Sequence, residues 1–166
     1  MKFLEMRTRS ALRKNKHLRA STAYKHAKHV GVIFSVEDRQ KHTDVKDFVH
    51  RLEQDGKTVQ VLEFLPKKKE NYEFLFDFFT MEDLSFWGNI TSTQAVKFSE
   101  AHFDYLFYTD TVPNRLIMNL LARSAARCRV GVFQETNNAF FELMIEHKGT
   151  TKTLLDNMYK YTRLLK

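Results

Sequence analysis

The chain has 166 residues, 43% of them apolar, with 15 Phe and 6 Tyr. That is one ordinary domain with the apolar volume for a core, and it excludes wholesale disorder. No apolar run approaches the ~20 residues that a membrane-spanning helix requires, and the net charge of +7 is unevenly spread. Residues 1–29 hold nine Lys or Arg against Glu5, so this segment carries +8 and the rest of the chain −1. The single cysteine, Cys128, supports neither an internal disulfide nor a cysteine-rich zinc site, and no apolar signal-peptide core stands near the start. A reducing, cytoplasmic setting is expected.

In chain order, residues 1–28 are expected to form a basic helical arm ahead of a single α/β domain at 29–166. HVGVIFSV (29–36) is a continuous apolar run, which predicts a strand buried on both faces. Val45, Phe48, Val49 and Leu52 fall at i, i+3, i+4 and i+7 on one helical face, with Gly56 placed to end the helix. TVQVLEFL (58–65), closed by Pro66, completes a βαβ unit. After the charged connection 67–71, a short strand is expected within 74–80 and an irregular or short helical piece around Met81–Trp87. The aromatic side chains of 74–87 are assigned to the core. TQAVKFSEA (93–101) reads as a short helix capped by Thr91 or Ser92, and FDYLFYT (103–109) as another buried strand.

The following helix has Pro113 in its first turn and a stripe of Leu116, Ile117, Leu120 and Leu121. RVGVFQ (129–134) and AFFELMIE (139–146) are expected as an antiparallel hairpin across Glu135–Asn138. Leu154, Leu155, Met158, Tyr161 and Leu165 mark a C-terminal amphipathic helix. The expected architecture is α/β and Rossmann-like: a mainly parallel sheet, helices on both faces and one antiparallel edge hairpin.

The stretch FDYLFYTDTVPNRLIMNLLARSAARCRVGVFQETNNAFFELMIE resembles the N-terminal half of heptosyltransferase-like GT-B glycosyltransferases. Over nearly its full length the chain also resembles a bacterial family of small proteins of unknown function, with a basic N-terminal segment, a VGVIF-like first strand, a DLSFWG-like element and an RVG…FELMI ending. The second resemblance implies a fold and no activity. The first breaks at the turn after the first strand, where Ser35-Val36-Glu37-Asp38-Arg39 replaces a Gly-rich turn. There is also no second Rossmann-like half, so no catalytic residue carries over.

In a doubly wound sheet the ligand crevice lies beyond the C-terminal strand ends. Here that places Ser35 and Asp38 beside Asp110 and Asn114, a set able to bind a small ligand or to act as acid and base. Asp38 and Asp110 are better explained as helix starts, where the macrodipole favours acids. Without GxGxxG or GxxxxGK[ST], no cofactor is expected. His26 and His29 stand at i, i+3, and His42 and His50 lie on the first crossover helix, but none has partners at metal-ligand spacing, so no metal is expected.

The basic segment is the strongest signal. Phe3, Leu4, Met6, Ala11, Leu12 and Leu18 fall on scattered azimuths of a helix, so a membrane-surface helix is disfavoured and no membrane partner is expected. Arg7, Arg9, Arg13, Lys14, Lys16, Arg19, Lys25 and Lys28 are left to meet phosphates, with Lys67, Lys68 and Lys69 as a second basic point. The expected function is a non-enzymatic module bound to structured RNA or a ribonucleoprotein such as the ribosome, and a passive solvated arm is the competing explanation. A crevice enzyme or nucleotide/sugar-binding domain is the alternative function. A protein interface on the C-terminal helix or the 140–146 edge is a third reading.

Overall fold

The apolar run His29–Ser35 (β1) lies at the centre of a six-stranded sheet in the computed structural model, which describes residues 1–166. Before it comes α1 (Lys2–Asn15); after it come α2 (Arg39–Gln54), β2 (Thr58–Phe64), β3 (Asp77–Phe79), α3 (Thr93–Glu100), β4 (Tyr105–Tyr108), α4 (Arg115–Arg123), β5 (Cys128–Val132), β6 (Leu143–Ile145) and α5 (Thr151–Arg163). The strand order is β3-β2-β1-β4-β5-β6, and every pair is parallel. This is the doubly wound order, whose topological switch point lies between β1 and β4. No helix is long and apolar enough to cross a membrane.

Alternation along the strands divides the core in two. Val30, Val32 and Phe34 of β1, with Tyr105 and Phe107 of β4, meet Val45, Phe48 and Leu52 of α2 and Leu154, Leu155 and Met158 of α5. Ile33, Leu106 and Tyr108 face the other way, against Leu4 of α1, Phe98 of α3 and the stripe Leu116, Ile117, Leu120 and Leu121 of α4. The helices begin on side-chain caps: Asp38 for α2, Ser92 for α3, Asn114 for α4 and Thr150 for α5. Pro113 therefore stands just ahead of the α4 cap rather than inside the first turn. Cys128 is buried, and burial pushes its thiol up to about 12, which leaves it an inert packing residue.

Two expectations fail. The segment 129–146 is not a hairpin: β6 returns parallel to β5, with Val130 opposite Leu143 and Val132 opposite Ile145. The polar stretch Glu135–Phe140 winds into a 3-10 turn instead of reversing the chain. Phe141 then packs so closely over Gly131 that no Cβ would fit there. Buried Arg129 anchors the crossover, donating to the carbonyl of Ala139 at 3.1 Å and to the carboxylate of Glu142 at 3.1 Å. These contacts are distant in sequence, and they override the local turn chemistry.

The aromatic stretch 74–87 is also not core as a whole. Phe79 is buried, but Phe74, Phe78, Phe86 and Trp87 are exposed, Phe86 at 80%.

β2 carries one uncompensated group. Glu63 is fully buried and neither carboxylate oxygen has a partner. Burial alone pushes its carboxyl up from the usual 4.5 to about 7. The folded chain therefore binds a proton that the unfolded chain releases between these pH values, and stability falls as pH rises through that window. Glu63→Gln removes the titration. Its stability relative to the parent protein is expected to rise by about 3 kcal/mol from pH 4.5 to pH 8, measured by urea denaturation across that range. A pH-independent difference would show that Glu63 finds a counter-charge.

Candidate nucleic-acid interface

The basic segment begins with a helix that has a definite docking face. Leu4 is buried, and Thr8, Ala11, Leu12 and Asn15 are half-buried at spacings of one helical side. The expectation of scattered azimuths arose from counting Phe3, Met6 and Leu18 and leaving out polar residues that complete the face. Thr8 Oγ1 donates to the Leu4 carbonyl at 2.8 Å and accepts from Asn119 Nδ2 at 2.9 Å. Asn15 Nδ2 donates to the Ala122 carbonyl at 3.1 Å. Glu5 pairs with Arg115 at 3.3 Å, so α1 runs alongside α4 in the same direction.

The eight N-terminal cations do not share one environment. Arg19 turns inward. Its Nη1 donates to the carbonyls of Ser124 and Ala126, each at 2.6 Å, and its Nε lies 3.5 Å from Glu142. Burial, then the neighbouring Arg129, lowers its pKa to about 10. Arg19 closes the C-terminal end of α4 and is not available to a partner, which corrects its assignment to the phosphate-binding set.

Arg7 and Lys14 border a polar cavity with Arg123, and Arg9 borders the opposite flank of α1 near Pro113 and Met118. Arg13 and Lys16 are exposed. Lys25 belongs to another surface, grouped with His26, Arg163 and Lys166. Lys28 is exposed at the entry to β1, where its backbone N–H and that of His29 are held by the Asp104 carboxylate at 2.7 and 3.0 Å. Lys67, Lys68 and Lys69 are exposed on the loop after β2 and are not among the residues of the α1 cavity.

Beside α1 the turn Ser85–Asn89 presents a feature missed in the sequence. Phe3, Phe86 and Trp87 form an exposed aromatic cluster, with Phe3–Trp87 centroids 5.3 Å apart and Phe86–Trp87 centroids 5.1 Å apart, both edge-on. Arg7 Nε donates to the Trp87 carbonyl at 2.7 Å. Gly88, at φ +76°, lets the turn touch α1: a Cβ there would stand 2.6 Å from the Leu4 backbone nitrogen. The signal was present as SFWG, an aromatic pair with no helical or strand period. Asn119 and Arg123 gave none, because both read as ordinary α4 residues.

The crevice residues at the switch point do come together, but around an internal cation. Lys41 is 2% exposed, and its Nζ donates to Asp110 Oδ1 at 2.6 Å, the Ser35 carbonyl at 2.8 Å and Glu37 Oε1 at 3.1 Å. Three donors meet three acceptors, so the ammonium is saturated. Both Asp110 oxygens also accept the Ser35 N–H at 3.0 Å. Burial pushes the Asp110 carboxyl upward, and Lys41 and Ser35 pull it back. Asp38 caps α2 through the Lys41 N–H at 2.8 Å, and Asn114 caps α4. Asp110 starts no helix, contrary to its capping explanation. No three His, Cys, Asp or Glu side chains converge anywhere in a geometry able to hold a metal ion.

An all-parallel sheet in this order, with helices on both faces, defines a Rossmann-like α/β protein. Within that class the chain belongs to a family of unknown function (DUF6913), whose model matches residues 1–165 and so includes α1. No curated protein and no solved structure matches the chain.

The saturated Lys41–Asp110 pair makes a stability prediction. Lys41→Met leaves a buried carboxylate unpaired and is expected to cost about 3–5 kcal/mol, whereas Lys41→Met with Asp110→Asn recovers most of that loss. Urea unfolding of the single and double variants measures the coupling. A loss below about 1 kcal/mol for the single variant would show that water screens the pair.

Proposed function

We propose that this protein is a non-catalytic RNA-binding module that docks onto structured RNA or a ribonucleoprotein particle, such as the ribosome, through the exposed cations of α1. The observation that carries this reading is the charge partition: +8 in residues 1–29 against −1 elsewhere. Its geometry adds support, since Arg7, Arg9, Arg13 and Lys14 stand exposed and none forms an ion pair. Cations without internal counter-charges on a fixed helix are suited to phosphates, whose neutralisation releases condensed counterions. The basic segment works in a reducing, cytoplasmic compartment in this reading. The crevice alternative is less favoured, because Lys41 already engages Asp110, the Ser35 carbonyl and Glu37 there.

Deleting residues 1–28 would be a poor test, because Leu4, Tyr24 and Ala27 are buried in the core. The variant Arg7→Gln/Arg9→Gln/Arg13→Gln/Lys14→Gln keeps the docking face and removes four charges. With a labelled RNA hairpin carrying a single-stranded overhang, it is expected to bind at least tenfold more weakly at 100 mM salt. Its log Kd against log salt slope is expected to be shallower by about 3, from a release of ~0.7–0.9 ions per contact. Equal affinity and slope in a folded variant would overturn the proposal.

A further inference from the structure

The cavity between α1, the 85–89 turn and α4 has a volume of about 380 Å³, and only one of its nine lining residues is apolar. Arg7, Lys14 and Arg123 line it with Ser10, Asn89 and Asn119, and no carboxylate does. Three cations facing one concave space repel one another unless an anion enters, and a guanidinium fork matches phosphate oxygens. Asn119 is 1% exposed. Its Nδ2 is spent on Thr8, and its Oδ1 is buried with no donor. The cavity thus offers many donors and one acceptor that lacks a partner, a set suited to a phosphate joined to a hydroxyl-bearing group.

The aromatic cluster adjoins this space, and Arg7 belongs to both: it lines the cavity and holds the Trp87 carbonyl at 2.7 Å. Trp87 is 59% exposed and Phe86 80%. Edge-on packing at 86° sets their planes nearly perpendicular, and contact at Gly88 fixes the turn against the helix that bears the cations. A peptide would have to bring several acids together with a flat apolar group. A nucleotide joins a phosphate to a flat π surface within one unit.

Resting on the RNA reading above and sharpening it, we propose that this site captures an unpaired nucleotide, its phosphate among Arg7, Lys14 and Arg123 and its base stacked on the face of Trp87, with the Phe86 ring against the edge of the base. The module then favours single-stranded segments of a structured RNA over continuous duplex.

Trp87 is the only tryptophan, so its emission reports stacking directly. The test titrates the full chain with a 12-nucleotide mixed-sequence single-stranded RNA and with a blunt 16-base-pair RNA duplex, following anisotropy and Trp87 emission together. Single-stranded RNA is expected to quench Trp87 with the same Kd that anisotropy reports, and the duplex to leave the emission unchanged. Trp87→Leu, or Phe86→Ala as a second variant, is expected to weaken single-strand binding about 5- to 150-fold with the salt slope and duplex affinity retained. Unquenched emission together with full affinity in both variants overturns this inference. If the four-charge variant still loses binding in that case, docking through α1 stands; if the parent protein binds neither RNA, both proposals fall.

Discussion

Two buried guanidinium groups at the C-terminal end of α4 hold this molecule together. Arg19 takes the carbonyls of Ser124 and Ala126, Arg129 takes those of Leu121 and Ala139, and both lie against Glu142. A helix end presents carbonyls without intrahelical partners, and positive charge is favoured there. Here the cations come from the N-terminal segment and from β5, far apart in sequence. One ties the N-terminal segment to the sheet, and the other ties down the crossover that returns β6. The direction of α1 along α4 is set by its own contacts, Glu5 with Arg115, Thr8 with Asn119 and Asn15 with the Ala122 carbonyl, and Arg19 fastens the segment that follows it.

The consequence is a division of labour that is unusual for a parallel sheet of this order. At the switch point, where such folds hold ligands, the Lys41 ammonium is held by Asp110, the Ser35 carbonyl and Glu37. Beside α1, by contrast, cations without a counter-charge stand next to exposed aromatic rings. Protein surfaces seldom expose Phe and Trp beside uncompensated charge unless a partner covers them. The electrostatics thus separate an end of the sheet that is saturated from a face that is not.

Much of the fold was legible in the sequence. β1 and β4, buried on both faces, show as continuous apolar runs; α2 and α5 show as stripes; Asp38 and Ser92 announce their helices. What stayed hidden depends on contacts between residues far apart. Glu135–Asn138 carries hairpin chemistry, but Arg129 and Phe141 decide the return of the strand. Arg19 looks like any neighbour in a basic run, and only the carbonyls of α4 single it out. The candidate interface was half legible. Its cations were plain from the charge count, but Phe86 and Trp87 were assigned to a core that Phe79 and Ile90 already fill.

The Lys41–Asp110 pair at the switch-point end of the sheet bears on how the protein responds to its surroundings. Where a fold leaves such a crevice to a dissolved ligand, stability rises and falls with the free concentration of that ligand by mass action. Lys41 is part of the chain, so its site is occupied as soon as the chain folds, at an effective concentration that no metabolite level alters.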